Sequence, residues 1–199
     1  MALTGLGAFV FLIFHLGGNL LSLKGPAAYN EYARRLHSIP GLPLIEAALG
    51  ALFLIHIAYG IVISLLNASA RPIPYVLKKS AEPRTAPANS MIFTGLIIFA
   101  YMAYHVYTMA YGPRSVVPVY QHVSEAFHDP WIAVIYLVGL GALAWHLLYG
   151  LFSALTTLGL RHPRHDAWLN VACVAGALLI TLGFILIVIW FWAGFGGAS

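Results

Sequence analysis

Charge is what this sequence has least of. Only 8% of its 199 residues are Asp, Glu, Lys or Arg, whereas 61% are hydrophobic and the mean hydropathy is +0.85. A soluble domain of this length cannot cover itself with so few charges, so the composition is that of a membrane protein. A single cysteine, Cys173, excludes a disulfide framework and any C-x-x-C-H attachment of a covalently held cofactor. No glycine-rich nucleotide-binding loop and no cysteine cluster is present. The ten basic residues sit at the ends of apolar segments, as topology signals do, and form no nucleic-acid patch. No basic stretch precedes the first apolar segment, so a cleaved signal peptide is not expected.

What is abundant is apolar runs of membrane-spanning length. A hydrocarbon core of about 30 Å needs roughly 20 apolar residues per helix. Five segments qualify, near residues 2–22, 44–66, 91–111, 131–158 and 168–194, and residues 1–199 form a single transmembrane domain. The loops after spans two and four carry Arg71, Lys78, Lys79, Arg84, Arg161 and Arg164; those after spans one and three carry Lys24, Arg34, Arg35 and Arg114. This bias places the N-terminus on the cytoplasmic side. Aromatic residues near the span ends, such as Tyr107, Tyr111, Trp131, Trp190 and Trp192, read as an interfacial belt.

Sliding the sequence by 90 residues aligns Thr4-Gly5-Leu6 with Thr94-Gly95-Leu96, His15 with His105, Pro40 with Pro130, and His56 with His146. Tyr59-Gly60 then meets Tyr149-Gly150, and Arg71 meets Arg161. Spans one and two thus read as one helical hairpin and spans three and four as a second copy, related by a pseudo-twofold axis along the membrane normal.

Each of those four spans carries one histidine, His15, His56, His105 or His146, and the fifth carries none. A polar ring in hydrocarbon is costly and marks function. Counting from the helix ends, His15 and His105 share one depth and His56 and His146 another, about 10 Å away at 1.5 Å per residue. Two facing imidazoles at each depth are too few for zinc, which wants about four ligands on one point. They suit haem, which needs one axial ligand on each side of a flat ring. Glycines four residues after His56 and His146 lie on the ligand face, leaving room for a macrocycle or for close helix packing. The expected fold is all-α, with five transmembrane helices of which the first four form a haem-binding bundle with a parallel internal repeat. No span carries two histidines, unlike the cytochromes of bc type.

Several stretches resemble the single-subunit, five-helix, di-haem cytochrome b anchor of succinate dehydrogenases and fumarate reductases. They are Phe14-His15-Leu16-Gly17-Gly18-Asn19, Ala28-Tyr29-Asn30, Leu44-Ile45-Glu46 through His56-Ile57-Ala58-Tyr59-Gly60, Tyr104-His105-Val106-Tyr107, and Trp145-His146 through Leu151-Phe152-Ser153. The resemblance implies two b haems, the proximal one on His56 and His146 near an iron–sulfur subunit and the distal one on His15 and His105. It further implies a flavoprotein subunit beside the iron–sulfur subunit on the cytoplasmic face, a membrane quinone (menaquinone) as substrate, and residence in a bacterial or archaeal cytoplasmic membrane, where the complex can form a higher oligomer. The family's short basic segment before the first helix is not in this sequence. Succinate oxidation would belong to the partner subunits. Running the architecture in reverse, as a fumarate reductase anchor, is the alternative; a non-redox scaffold or transporter with proton- or metal-binding histidines is a second.

Quinone reduction consumes protons, so a carboxylate or histidine near the distal pair is expected. Glu46, His37 and Glu31 are the candidates, although an acid in the first turn of the second span also suits the helix dipole. Arg34, Arg35, Lys78 and Lys79 can pair haem propionates, and topology or subunit docking explains them equally well. His122, His128, His162 and His165 read as solvated loop residues.

Overall fold

In the computed structural model, residues 1–70, 85–110 and 118–197 are described, and all regular structure among them is helical. Five helices are long and apolar enough to cross a membrane, as the sequence predicts: Ala2–Lys24, Leu42–Asn67, Ser90–Ala110, Pro130–Thr157 and Asp166–Trp192. The chain is therefore a multi-pass membrane protein by the length and composition of its helices.

In chain order the helices are α1 (Ala2–Asn19), running into a 3-10 turn over Leu20–Lys24, α2 (Pro26–His37), α3 (Leu42–Ser69), α4 (Thr85–Ala110), α5 (Val119–His128), α6 (Pro130–Thr157) and α7 (Asp166–Trp192). Gly25 ends the first turn of chain with φ +100, a conformation a side chain would resist, and Pro26 then opens α2 at a position where its missing N–H costs nothing. Asp129 caps α6, its carboxylate accepting from the Trp131 N–H at 2.8 Å.

α2 and α5 are the elements the sequence reading leaves out, treating both stretches as loop. Both are short amphipathic helices, and their apolar positions follow helical spacing: Tyr29 and Ala33 on α2, Tyr120, Val123 and Phe127 on α5 are buried. They pack together across one end of the bundle, where Asn30 Oδ1 accepts from the Tyr120 N–H at 2.9 Å. Tyr120 also packs edge-on against Phe191 of α7, and Ser124 donates to the Gly196 carbonyl. His122 is therefore buried, not solvated: its Nε2 donates to the Thr108 carbonyl at 2.9 Å. His128 sits on the exposed end of α5, and His162 and His165 are exposed in the α6–α7 turn, as expected.

Between helices in lipid, association rests on close packing and not on escape from water, so small residues matter. α6 packs against both α4 and α7, with Ala133 and Ala177 fully buried between them. A buried stripe of Cys173, Ala177, Ile180, Thr181, Ile187, Val188 and Phe191 fixes the inward face of α7. Gly139 of α6 lies directly under the Tyr101 ring of α4, with no room for a Cβ. α3, by contrast, has no buried residue among those whose burial is described and touches the bundle mainly through α1; Leu54, Leu65 and Leu66 face outward as lipid-facing residues do. Trp131 and Trp192 are exposed at helix ends, in keeping with an interfacial belt, whereas Tyr111 lies outside the described residues.

Gly139→Ala forces the Tyr101 ring aside, so we expect it to destabilise the detergent-solubilised protein by about 1–3 kcal/mol, the usual cost of overpacking. Gly141→Ala, with open space around its position, is the control in the same thermal-melt assay.

Candidate functional site

Four helices bring the four span histidines into two facing pairs. α1 and α4 present His15 and His105 with ring centroids 5.9 Å apart and planes at 86°. α3 and α6 present His56 and His146 at 6.3 Å and 72°. These are the pairs expected from the sequence. Two imidazoles ligating one metal ion from opposite sides, with metal–nitrogen bonds of about 2.0 Å, have centroids roughly 6.4 Å apart. Edge-to-face rings also pack at such distances. The nitrogen partners carry the further distinction.

In three of the four rings Nδ1 faces a hydroxyl. His56 Nδ1 lies 3.0 Å from Thr4 Oγ1, and His146 Nδ1 lies 3.1 Å from Thr94 Oγ1. Both contacts join residues 52 apart, and one maps onto the other under the 90-residue offset. Gly5 and Gly95, beside these threonines, leave space for the His56 and His146 rings to approach: a Cβ on Gly5 would stand 3.1 Å from His56 Cε1, and one on Gly95 3.6 Å from His146 Cε1. His105 Nδ1 lies 3.2 Å from the Tyr136 hydroxyl. His15 differs: among the described residues its Nδ1 meets the Asn19 amide nitrogen, at 3.5 Å, and no hydroxyl, while that amide donates to the His15 carbonyl at 2.8 Å. The offset places Glu46 where α6 has Tyr136, but Glu46 is exposed, so the two halves diverge here.

The pairs are further apart in depth than helix-end counting suggests. Thr4 is level with His56, and His15 stands eleven residues further along α1, about 16 Å at 1.5 Å per residue. Tyr136, level with His105, stands ten residues before His146 on α6, which gives about 15 Å. The expected 10 Å assumed that all helices end at one level. α1 instead gives way to the 3-10 turn after Asn19, four residues beyond His15, and α3 begins at Leu42, fourteen residues before His56.

Beside His15 and His105 opens a cavity of about 290 Å³, walled by Phe11, Tyr101, Leu140 and Phe184 and roofed by α2 and α5. His37 lines it, with Nδ1 donating to the Ala33 carbonyl at 2.7 Å; Glu31 and Glu46 do not. Glu31 instead accepts from Arg34 and Arg35 along α2. Hydrogen bonds from Arg34 and then Arg35 hold its carboxyl below the usual carboxylate range. Glu46 lies in the second turn of α3, which begins at Leu42, so the expected first-turn dipole role does not apply. Arg161 pairs with Asp166 and lies over the Phe152 ring at 3.8 Å. Arg71, Lys78, Lys79, Arg84 and Arg114 lie outside the described residues.

Among the described residues no three His, Cys, Asp or Glu side chains converge as a metal cage. Each histidine pair can supply two ligands and no more. The sequence reading missed Thr4, Thr94 and Tyr136 as partners of the histidines. Thr4 and Thr94 coincide under the 90-residue offset of the sequence; Tyr136 has no counterpart of its own kind and left no signal. Comparison with protein-family models, curated proteins and solved structures finds no match.

The depressed carboxyl of Glu31 stabilises α2 above its ordinary value of 4.5 and loses that contribution as pH falls through the lowered one. We expect Glu31→Gln to speed backbone amide exchange in α2 at neutral pH. The gap from wild type should close in acid, read by mass spectrometry with the intrinsic pH dependence of exchange corrected.

Proposed function

We propose that this chain is the membrane anchor of a succinate:quinone oxidoreductase, a cytochrome b holding two haems. It would pass electrons from an iron–sulfur subunit to a membrane quinone, menaquinone by resemblance. The observation that carries the reading is the two facing histidine pairs, each spaced for one metal ion between its rings.

The residues fit the group. Each site offers two imidazoles and no third ligand among the described residues, which leaves the other coordination positions to a macrocycle. The cavity at His15 and His105 has an apolar, aromatic wall. At the other pair, Gly60 faces the flexible tip of Met1, 3.5 Å from where a Cβ would stand, and Gly150 faces the tip of Met91 at 3.7 Å and the His146 ring at 3.9 Å. Haem held there would supply one-electron exchange, and ligation by two imidazoles would favour electron transfer over oxygen chemistry.

In this reading the chain's own residues do three things. His56 with His146, and His15 with His105, fix two redox centres about 16 Å apart along the bundle. The apolar spans keep water from both. His37, the one proton-exchanging candidate that lines the cavity, keeps Nε2 for a quinone bound under α2 and α5, while Glu31 is held by its arginines. Basic residues at the α6–α7 turn, Arg161 and Arg164, support a cytoplasmic N-terminus, so that His56 and His146 lie nearer the docking face for the iron–sulfur and flavoprotein subunits.

A pyridine haemochrome assay on the purified chain should find about two b haems, since each needs one bis-imidazole site. His56→Ala and His15→Ala should each remove one, and different ones by their reduced-minus-oxidised spectra. Protein from haem-replete cells with no Soret band would overturn the reading.

A further inference from the structure

We propose that the hydroxyls of Thr4, Thr94 and Tyr136 set the electron-donating strength of His56, His146 and His105, as positioning residues acting through Nδ1. The inference rests on the haem reading and adds to it a mechanism by which the protein sets the potential of each centre.

Thr4 Oγ1 lies 2.9 Å from the Met1 carbonyl, which can only accept, so the Thr4 hydroxyl proton points there. Its oxygen is then an acceptor for His56, and the ring proton must sit on Nδ1. Thr94 repeats this, with its hydroxyl donating to the Ser90 and Met91 carbonyls at 3.1 and 3.2 Å and accepting from His146. At His105 the chain is one link longer. Thr108 Oγ1 donates to the Tyr104 carbonyl at 2.9 Å, the Tyr136 hydroxyl donates to Thr108 Oγ1 at 2.9 Å, and Tyr136 accepts from His105 Nδ1.

Each of the three rings is thereby held in the tautomer whose Nε2 carries the lone pair. The Nδ1–H bond also pushes electron density toward Nε2, which raises ligand basicity and stabilises the oxidised metal over the reduced one. Removing the hydroxyl should therefore raise the midpoint potential of the haem that ring ligates. Among the described residues no hydroxyl meets His15 Nδ1, so Tyr136 supplies the hydroxyl of the His15/His105 centre.

The test is a spectroscopic redox titration of the full chain with its haems bound, on Thr4→Val, Thr94→Val and Tyr136→Phe, with Thr4→Ser and Thr94→Ser beside them. Both valine variants should shift the same one of two redox waves to higher potential, Tyr136→Phe should shift the other, and the serine variants should leave the waves in place. A hydroxyl that only packs the helices would alter haem content or melting temperature and not the potential. Waves unmoved with the Soret band intact, or serine shifting them as far as valine, would overturn the inference alone. If a valine variant does not fold, Tyr136→Phe and the serine comparison still decide it. A wild-type chain with no Soret band would overturn the haem reading and this inference together.

Discussion

An imidazole placed in hydrocarbon has two nitrogens and needs a partner for each. Water is not there to supply one, and an unpaired polar atom in such surroundings costs on the order of 2–7 kcal/mol. Four such rings set the terms for the rest of the structure. Thr4, Thr94 and Tyr136 meet three Nδ1 atoms from a neighbouring helix, and Asn19 approaches the fourth from one turn along α1. The rings also pair across the bundle, two from opposite helices with centroids 5.9 and 6.3 Å apart, close enough to share one ion. Helix choice follows from this, since α1 must stand beside α3, and α4 beside α6, for the hydroxyls to reach.

The rest of the fold supports that arrangement. α7, which carries no histidine, packs its inward stripe against α6 and α1 and holds the four-helix part together from one side. α2 and α5 close the end above His15 and His105, tied to each other through Asn30, to α7 through Tyr120 and to the turn after α7 through Ser124. Without that cover the cavity beside this pair would open directly to the interface. α3 is left nearly bare toward lipid, and its tie to α1 runs through Thr4 and His56 and the Phe11–Phe53 contact.

The five spans and the histidine partners were legible because both depend on local features: run length for the spans, and one histidine in each of four spans for the pairs. α2 and α5 were hidden by their charges and polar residues, although Tyr29 and Ala33, and Tyr120, Val123 and Phe127, carry helical spacing in plain view. The depth between the pairs was misjudged because sequence gives helix length but not the level at which neighbours begin. Thr4 and Thr94 could have been found as polar residues repeated at 90 in otherwise apolar spans. Tyr136 could not, because its link to His105 is a tertiary contact and the repeat offers Glu46 in its place, an acid that faces outward.

The most direct test of the two-centre account is anomalous scattering from crystals of the purified protein, collected at the iron absorption edge. The account predicts two iron peaks per chain about 16 Å apart, one between the rings of His15 and His105 and one between those of His56 and His146. A single peak, a peak away from either ring pair, or none in protein that retains its colour would contradict it.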